Sequence, residues 1–381
     1  MTPRVLAVNP GGGSTRVALF HGDTLVHSAE VLHESADLDA VAGDHGGQLE
    51  LRLSAIAPRL EAWGVAEGPL DAVVGRGGPY RPLPGGVYAV NTALLDDVRQ
   101  GRLMADHPSK LGAELAWLLA RRAQCPRVFV VDPVSVDELW PEARLTGLPE
   151  LPRVSLFHAL NIKAVARRHA QASQRPLEDM VLIVAHLGSG ISVALVVGGR
   201  AVDVNNSADE GPFSTRRAGG LPATGLLELA TQPGFDRQAT QRRMMSGGGL
   251  LAHLGTADLA AAEARAASGD EHAALVLDAM AYGVAKSIGG LAAVVRGQVD
   301  GILLTGGMAR CDDWLDRLEE YLRWIADVFR YSGEGEMRAL AEGAAAAVRG
   351  EVPVRGYPRA DSKRGVAGHE PYSKVRNRQA L

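Results

Sequence analysis

Only two cysteines, Cys125 and Cys311, occur in the 381 residues, far apart and without metal-ligand spacing. That argues against a disulfide scaffold and a zinc cluster, and it points to a reducing, cytoplasmic setting. Net charge is equally scarce. The 40 Lys and Arg against 44 Asp and Glu leave a formal −4, which argues against nucleic acid as a partner. No run of 18 uncharged apolar residues appears, and MTPRVLAVNPGGG enters strand-like sequence without a cleavable apolar core. No membrane partner is expected. What is present, 46% hydrophobic and 22% charged residues, is the balance of a globular chain about two domains long.

The chain is organised around residues 5–20, VLAVNPGGGSTRVALF, which read as strand, tight glycine turn, strand. A glycine-rich tip exposes backbone N–H groups that a phosphate can approach closely, with Ser14, Thr15 and Arg16 as added donors. A plain structural turn stays open. Residues 181–196, VLIVAHLGSGISVALV, repeat the pattern with seven identities in 16 when laid on it without a gap. A second echo sets LDAVVGRGG at 70–78 against VDGILLTGG at 299–307. Two echoes in the same order indicate two related halves.

Helical periodicity at 48–63, 110–124, 155–170, 272–296 and 312–329 alternates with short apolar strands, among them VFVVDP at 128–133, so mixed sheets covered by helices are expected. The domains read as 1–150, rejoined by a helix at 336–350, and 151–335. Residues 355–381 carry seven Lys or Arg against two Asp or Glu, and 351–381 reads as a solvated basic tail.

NPGGGST at 9, VVGRGGPYRPLPGG at 73, VDPVSVDE at 131, FHALNIKAVARR at 157, VAHLGSGISVAL at 184, VNNSADEGPFSTRRAGGLP at 204 and LTGGMAR at 304 together resemble the acetokinase family, in order, from about residue 4 to 350. The resemblance implies an α/β, duplicated two-domain actin-like ATPase fold with ribonuclease H-like halves and an interdomain cleft. It implies a reversible phosphoryl transfer from ATP, with Mg2+, to a short-chain carboxylate. Butyrate is the leading acceptor; acetate, propionate or a branched acid is the alternative. A homodimer or larger homo-oligomer is expected. From a different class, a degenerate nucleotide-binding regulatory protein stays open.

The chemistry constrains the residues. A carboxylic acid is ionised at pH 7, so the acceptor is already a nucleophile and needs no general base. Two anions must be brought together instead, which calls for cations and hydrogen-bond donors. By resemblance Arg76 and Arg217 take the carboxylate and the transferring phosphate, with the adjacent Arg216 the rival for the second role. His186 then hydrogen-bonds the phosphoryl group, and Asp132 and Glu336 serve magnesium and its waters, with Glu334 the rival of Glu336. From residue type alone, Asp132 reads equally as a turn cap and Glu336 as a helix N-terminal acid. Asn9, Ser14, Arg16, Gly188 and Gly190 are expected at the phosphates and Gly306 and Gly307 at the adenosine. Asn205, Asn206 and Gly211 form the loop leading into Arg217. Gly12 and Gly13 stand where the family shows hydroxyls, Arg16 where it shows lysine, and Lys110 where it shows an amide.

Overall fold

A computed structural model describes residues 2–65, 69–333 and 335–359; Glu334 and the basic run from residue 360 lie outside it. The described chain forms two compact units, one up to Asp137 and again from Gly335, the other from Glu138 to residue 333. Unit 1 carries β1 (Arg4–Pro10), β2 (Ser14–His21), β3 (Thr24–Leu32), β4 (Ala72–Arg76), β5 (Val87–Ala89) and β6 (Val128–Val131). Unit 2 carries β7 (Val181–Leu187), β8 (Ile191–Val197), β9 (Arg200–Val204), β10 (Gly301–Gly306) and β11 (Val328–Ser332), and β12 (Val354–Gly356) belongs to unit 1.

Both units share one strand order. It runs β3-β2-β1-β4-β6 in the first and β9-β8-β7-β10-β11 in the second, and unit 1 adds β5 and β12 at its edge. In each, a three-stranded antiparallel meander is followed by two parallel strands. VLIVAHL of β7 and ISVALVV of β8 are buried at every position, because a strand covered on both faces reads as a continuous apolar run.

In unit 1, Leu6, Val8, Val17 and Leu19 pack with Leu49, Leu53 and Ile56 of the helix His45–Ala62 and with Leu115 and Leu119 of the helix Gly112–Arg122. The helix Glu336–Arg349 lies on β1, β4 and β6 through a face of small residues. At Gly343 an added Cβ would stand 2.7 Å from a Val131 methyl, so this helix approaches the sheet as closely as glycine allows.

In unit 2, the helix Ala159–Ala172 covers β7 and β10, and Glu271–Val294 lies against β7 and β8. By length and composition Glu271–Val294 would suffice to cross a bilayer. Its Val276, Leu277, Met280, Ala281 and Val284 are instead buried in unit 2, and the fully buried Trp314 donates Nε1–H to the Leu277 carbonyl at 3.3 Å. One face of this helix therefore belongs to a protein core.

The structure departs from the sequence reading in four places. The helix expected over 312–329 ends at Leu322, and Val328–Ser332 pairs in parallel with β10. The passage between units falls after Asp137, earlier than residue 150. Glu138 already accepts hydrogen bonds from Lys163 Nζ and the Ala201 N–H, and Trp140 N–H donates to Val202, all within unit 2. The first residues of the expected tail are ordered, since Val354–Gly356 joins β5 and the buried Tyr357 donates its hydroxyl to Asp97 at 2.9 Å. The rest of that tail lies outside the described residues.

The fourth departure is a slip in the duplication. Four residues separate the last paired positions of the first hairpin, Pro10 and Thr15, whereas three separate Leu187 from Ile191 in the second. Val5 pairs with Ala72 and Leu182 with Gly301. With Ala72 and Gly301 equivalent, as the second echo has it, Asn9 is level with His186 and Arg76 with Thr305. The ungapped identities on the first strand are thus one residue out of register, and alternating Val and Leu conceal the slip.

Candidate active site

Parallel strands present ligands at their carboxyl ends, and in unit 1 three of the expected site residues converge there. Asn9 ends the run of β1 and Arg76 ends β4. Glu336, the first residue of its helix, receives both: Asn9 Nδ2 donates to it at 2.7 Å and Arg76 Nη1 forms an ion pair with it. Arg76 is buried, its side chain 7% exposed, and its Nε–H has no partner among the described residues. A buried guanidinium with one donor unmet is a site prepared for another acceptor. Its setting is fixed by backbone contact: a Cβ at Gly75 would stand 2.0 Å from the Gly112 carbonyl oxygen, and one at Gly77 2.5 Å from Pro133 Cα.

Asp132 is fully buried and has φ +38°, a conformation that a non-glycine residue rarely adopts. Its Oδ1 accepts the Gly86 N–H at 2.7 Å while its own N–H donates to the Gly86 carbonyl. Asp132 therefore ties its strand end to the distant Gly86 backbone, a long-range contact in place of the local helix or turn cap that its residue type suggests.

The first hairpin places two expected phosphate ligands elsewhere. Ser14 Oγ donates to Glu30 at 2.7 Å, and Arg16 Nε lies 3.2 Å from the same carboxylate, on the neighbouring β3. Both side chains are spent on a cross-strand cluster. The tip at Gly12 and Gly13 stands open, with no atom within 4 Å of an added Cβ. Lys110 pairs with Asp106 at 2.6 Å.

Unit 2 gathers the other group around the second glycine turn. His186 is the one polar residue of β7 and is 3% exposed; a Cβ at Gly188 would lie 3.2 Å from its Nε2. The Arg217 guanidinium covers the same turn, with its Cζ 2.8 Å from where a Cβ at Gly190 would be. Arg217 Nη1 donates to Ser207 Oγ at 2.6 Å and to the Ser207 carbonyl at 3.2 Å. Burial holds its pKa below the usual value, with no carboxylate opposing that shift. Arg216 is exposed, and of the two adjacent arginines Arg217 is the one whose guanidinium lies against Gly190.

The loop carrying Arg217 is itself clipped in place. Asn205 bonds the β8 backbone at Val193 and Ile191, and Ser214 Oγ accepts the Arg217 N–H at 3.0 Å.

A cavity of about 690 Å³ opens beside this turn within unit 2; Gly188, Ser189, Thr215, Gly307, Met308 and Arg310 are among its lining residues. That volume lies in the range of small-molecule sites. Gly307 borders the cavity with nothing within 4 Å of an added Cβ. Gly306 serves the packing of the sheet instead. At φ +98° its missing Cβ makes room for the Leu187 carbonyl oxygen, which would be 2.2 Å away.

Residues that sequence reasoning did not single out complete the turn. His158 stacks on His186 with ring centroids 4.0 Å apart, and its Nδ1 lies 2.9 Å from Ser192 Oγ. FHALN carries that histidine, but nothing in its spacing shows that it meets a strand 28 residues on in β7.

The strand order, repeated in both units with a glycine-turned hairpin leading each, defines a duplicated actin-like ATPase fold. Solved structures share it: acetate kinase of Porphyromonas gingivalis superposes with a TM-score of 0.73 at 15% identity, covering 91% of this chain and 100% of that one. A propionate kinase of Francisella tularensis gives 0.66 at 16% identity over 89% and 98%. Sequence narrows the class. The acetokinase family model matches residues 152–314, and the chain is 45% identical to a probable butyrate kinase of Coprothermobacter proteolyticus over 93% of its length and 99% of that protein. A probable butyrate kinase of Bacteroides thetaiotaomicron is 43% identical over the same shares. The chain belongs to the acetokinase family.

Proposed function

We propose that this protein is an ATP-dependent short-chain carboxylate kinase with butyrate as its leading acceptor, giving ADP and butanoyl phosphate reversibly. The observation that carries the reading is the carboxylate-free Arg217 guanidinium set with His186 on the glycine turn that borders the unit 2 cavity. A half-buried cation with no carboxylate partner among the described residues is arranged for an anionic ligand.

In the reaction, a carboxylate oxygen attacks the terminal phosphorus of ATP as the bond to the bridging oxygen of ADP breaks. The acceptor is ionised beforehand, so the protein's work is positioning and charge stabilisation. Gly188 and Gly190 bring backbone donors to the phosphates, and Arg217 and His186 meet the oxygens that gain charge in transit. Arg76, with its spare Nε–H, takes the acceptor carboxylate, and Glu336, itself held by Asn9, fixes the Arg76 fork. Glu336 and Asp132 carry the hard carboxylate oxygens that would hold magnesium. When bound, magnesium neutralises phosphate charge. A cytoplasmic setting and a homo-oligomeric state accompany this reading.

Trapping the acyl phosphate formed from ATP, magnesium and straight acids of two to six carbons tests the reaction. Turnover highest with the four-carbon acid is expected, and no turnover with any acid would sink the proposal. The cavity has its own test. Gly307→Val is expected to raise KM for ATP about tenfold, the loss of one well-made contact, with an unchanged melt because the position faces open space. An unchanged KM would remove the nucleotide from that cavity.

A further inference from the structure

Arg52 is a buried cation that the reaction as described leaves unused. It lies in the helix His45–Ala62 and is 1% exposed. Its Nη1 donates to the Gln48 carbonyl at 3.3 Å, its Nη2 donates to the Gly11 carbonyl at 3.2 Å, and its Nε–H has no partner. Burial lowers its pKa, and no carboxylate counters that shift.

The neighbouring imidazole leaves the charge uncompensated. His33 holds the other side of the turn, its N–H donating to the Gly13 carbonyl and its Nε2 lying 2.8 Å from Thr15 Oγ1. Burial first, and then the charge of Arg52, push His33 toward its neutral form against the pull of Asp37.

The contact to Gly11 has a consequence for the turn. In a trans peptide the C=O and the following N–H point in opposite directions. By bonding the Gly11 carbonyl from within the unit, Arg52 fixes and polarises the Gly11–Gly12 peptide so that the Gly12 N–H is directed outward, at an exposed tip with no side chain in the way. In unit 2 the Arg217 guanidinium likewise lies against a turn glycine, Gly190, although its hydrogen bonds go to Ser207. The side-chain donors nearest in sequence, Ser14 and Arg16, are held by Glu30.

We propose that Arg52 is the positioning residue of the first hairpin, a buried charge that aims the Gly12 N–H at a phosphoryl oxygen and takes its counter-charge from the bound ligand. This rests on the kinase reading. It explains how a turn with Gly12 and Gly13 in place of hydroxyl side chains can still grip an anion.

Arg52→Met and Arg52→Lys test it through three measurements on the full chain. The ligand-free melt of Arg52→Met should equal or exceed that of the parent, because an unpaired buried charge is removed. The upward shift in melting temperature caused by inorganic phosphate should shrink in Arg52→Met and be partly kept in Arg52→Lys. With butyrate and ATP, kcat should fall about tenfold or more in Arg52→Met, the scale for losing one aligned donor. A lowered ligand-free melt or failure to fold, or a full phosphate shift with unchanged kcat, would overturn the proposal and make Arg52 a structural residue. If the parent turns over no acid, the kinase reading fails by itself, and the phosphate shifts of the two variants still decide the role of Arg52.

Discussion

Arg217→Ala is expected to lower kcat about a thousandfold, or ~4 kcal/mol, the scale for removing a preorganised donor from developing negative charge. The melt should remain cooperative. These two outcomes go together for a physical reason. Arg217 is tied by side chain to Ser207, a neutral partner, and no carboxylate depends on it for compensation. Its removal strands no buried anion and relieves the desolvation of its own charge. An arginine in a structural ion pair behaves oppositely, losing stability on truncation while sparing turnover. Steady-state kinetics beside calorimetry on the same preparation distinguishes the cases, and retained activity would show that the phosphoryl group is held elsewhere.

Gly306→Ala is expected to cost much stability for one added methyl group. The position has φ +98°, and the new Cβ would stand 2.2 Å from the Leu187 carbonyl oxygen and 2.8 Å from the Leu187 carbonyl carbon. Both obstacles are backbone of the adjacent strand, so neither can rotate away. Left-handed strain together with overpacking makes the cost about 3 kcal/mol. In a unit of this size that lowers Tm by on the order of 10 °C. The reciprocal bonds between Gly306 and Gly333 would shift as well, disturbing the cavity through Gly307. A melt within a degree or two of the parent would mean that the end of β10 relaxes freely.

Much of the architecture was legible because its determinants are local. The runs VLAVNP, VLIVAHL and GILLTG are apolar, short and closed by glycine or proline, which is sufficient to read buried strands and their turns. Legibility failed where a neighbour far along the chain decided. Val328–Ser332 follows a helix closely enough to look like its continuation, and only the edge of β10 makes it a strand. Tyr357 sits in a basic, polar stretch, and its burial follows from Asp97, 260 residues away. The one-residue slip in the first strand was invisible since Val and Leu alternate in both copies; the turn lengths and the pairings to β4 and β10 expose it.

The opening hairpin shows the same division. Its glycines, strand lengths and repeat are properties of consecutive residues, so local pattern was enough to establish a duplicated fold with a glycine turn at the head of each half. Which cation meets which anion was decided by tertiary structure alone. Arg16 is taken by Glu30, Arg76 by Glu336, and Arg217 and Arg52 by no carboxylate among the described residues. Charge pairing depends on through-space distance and on burial, and neither follows any period along the chain.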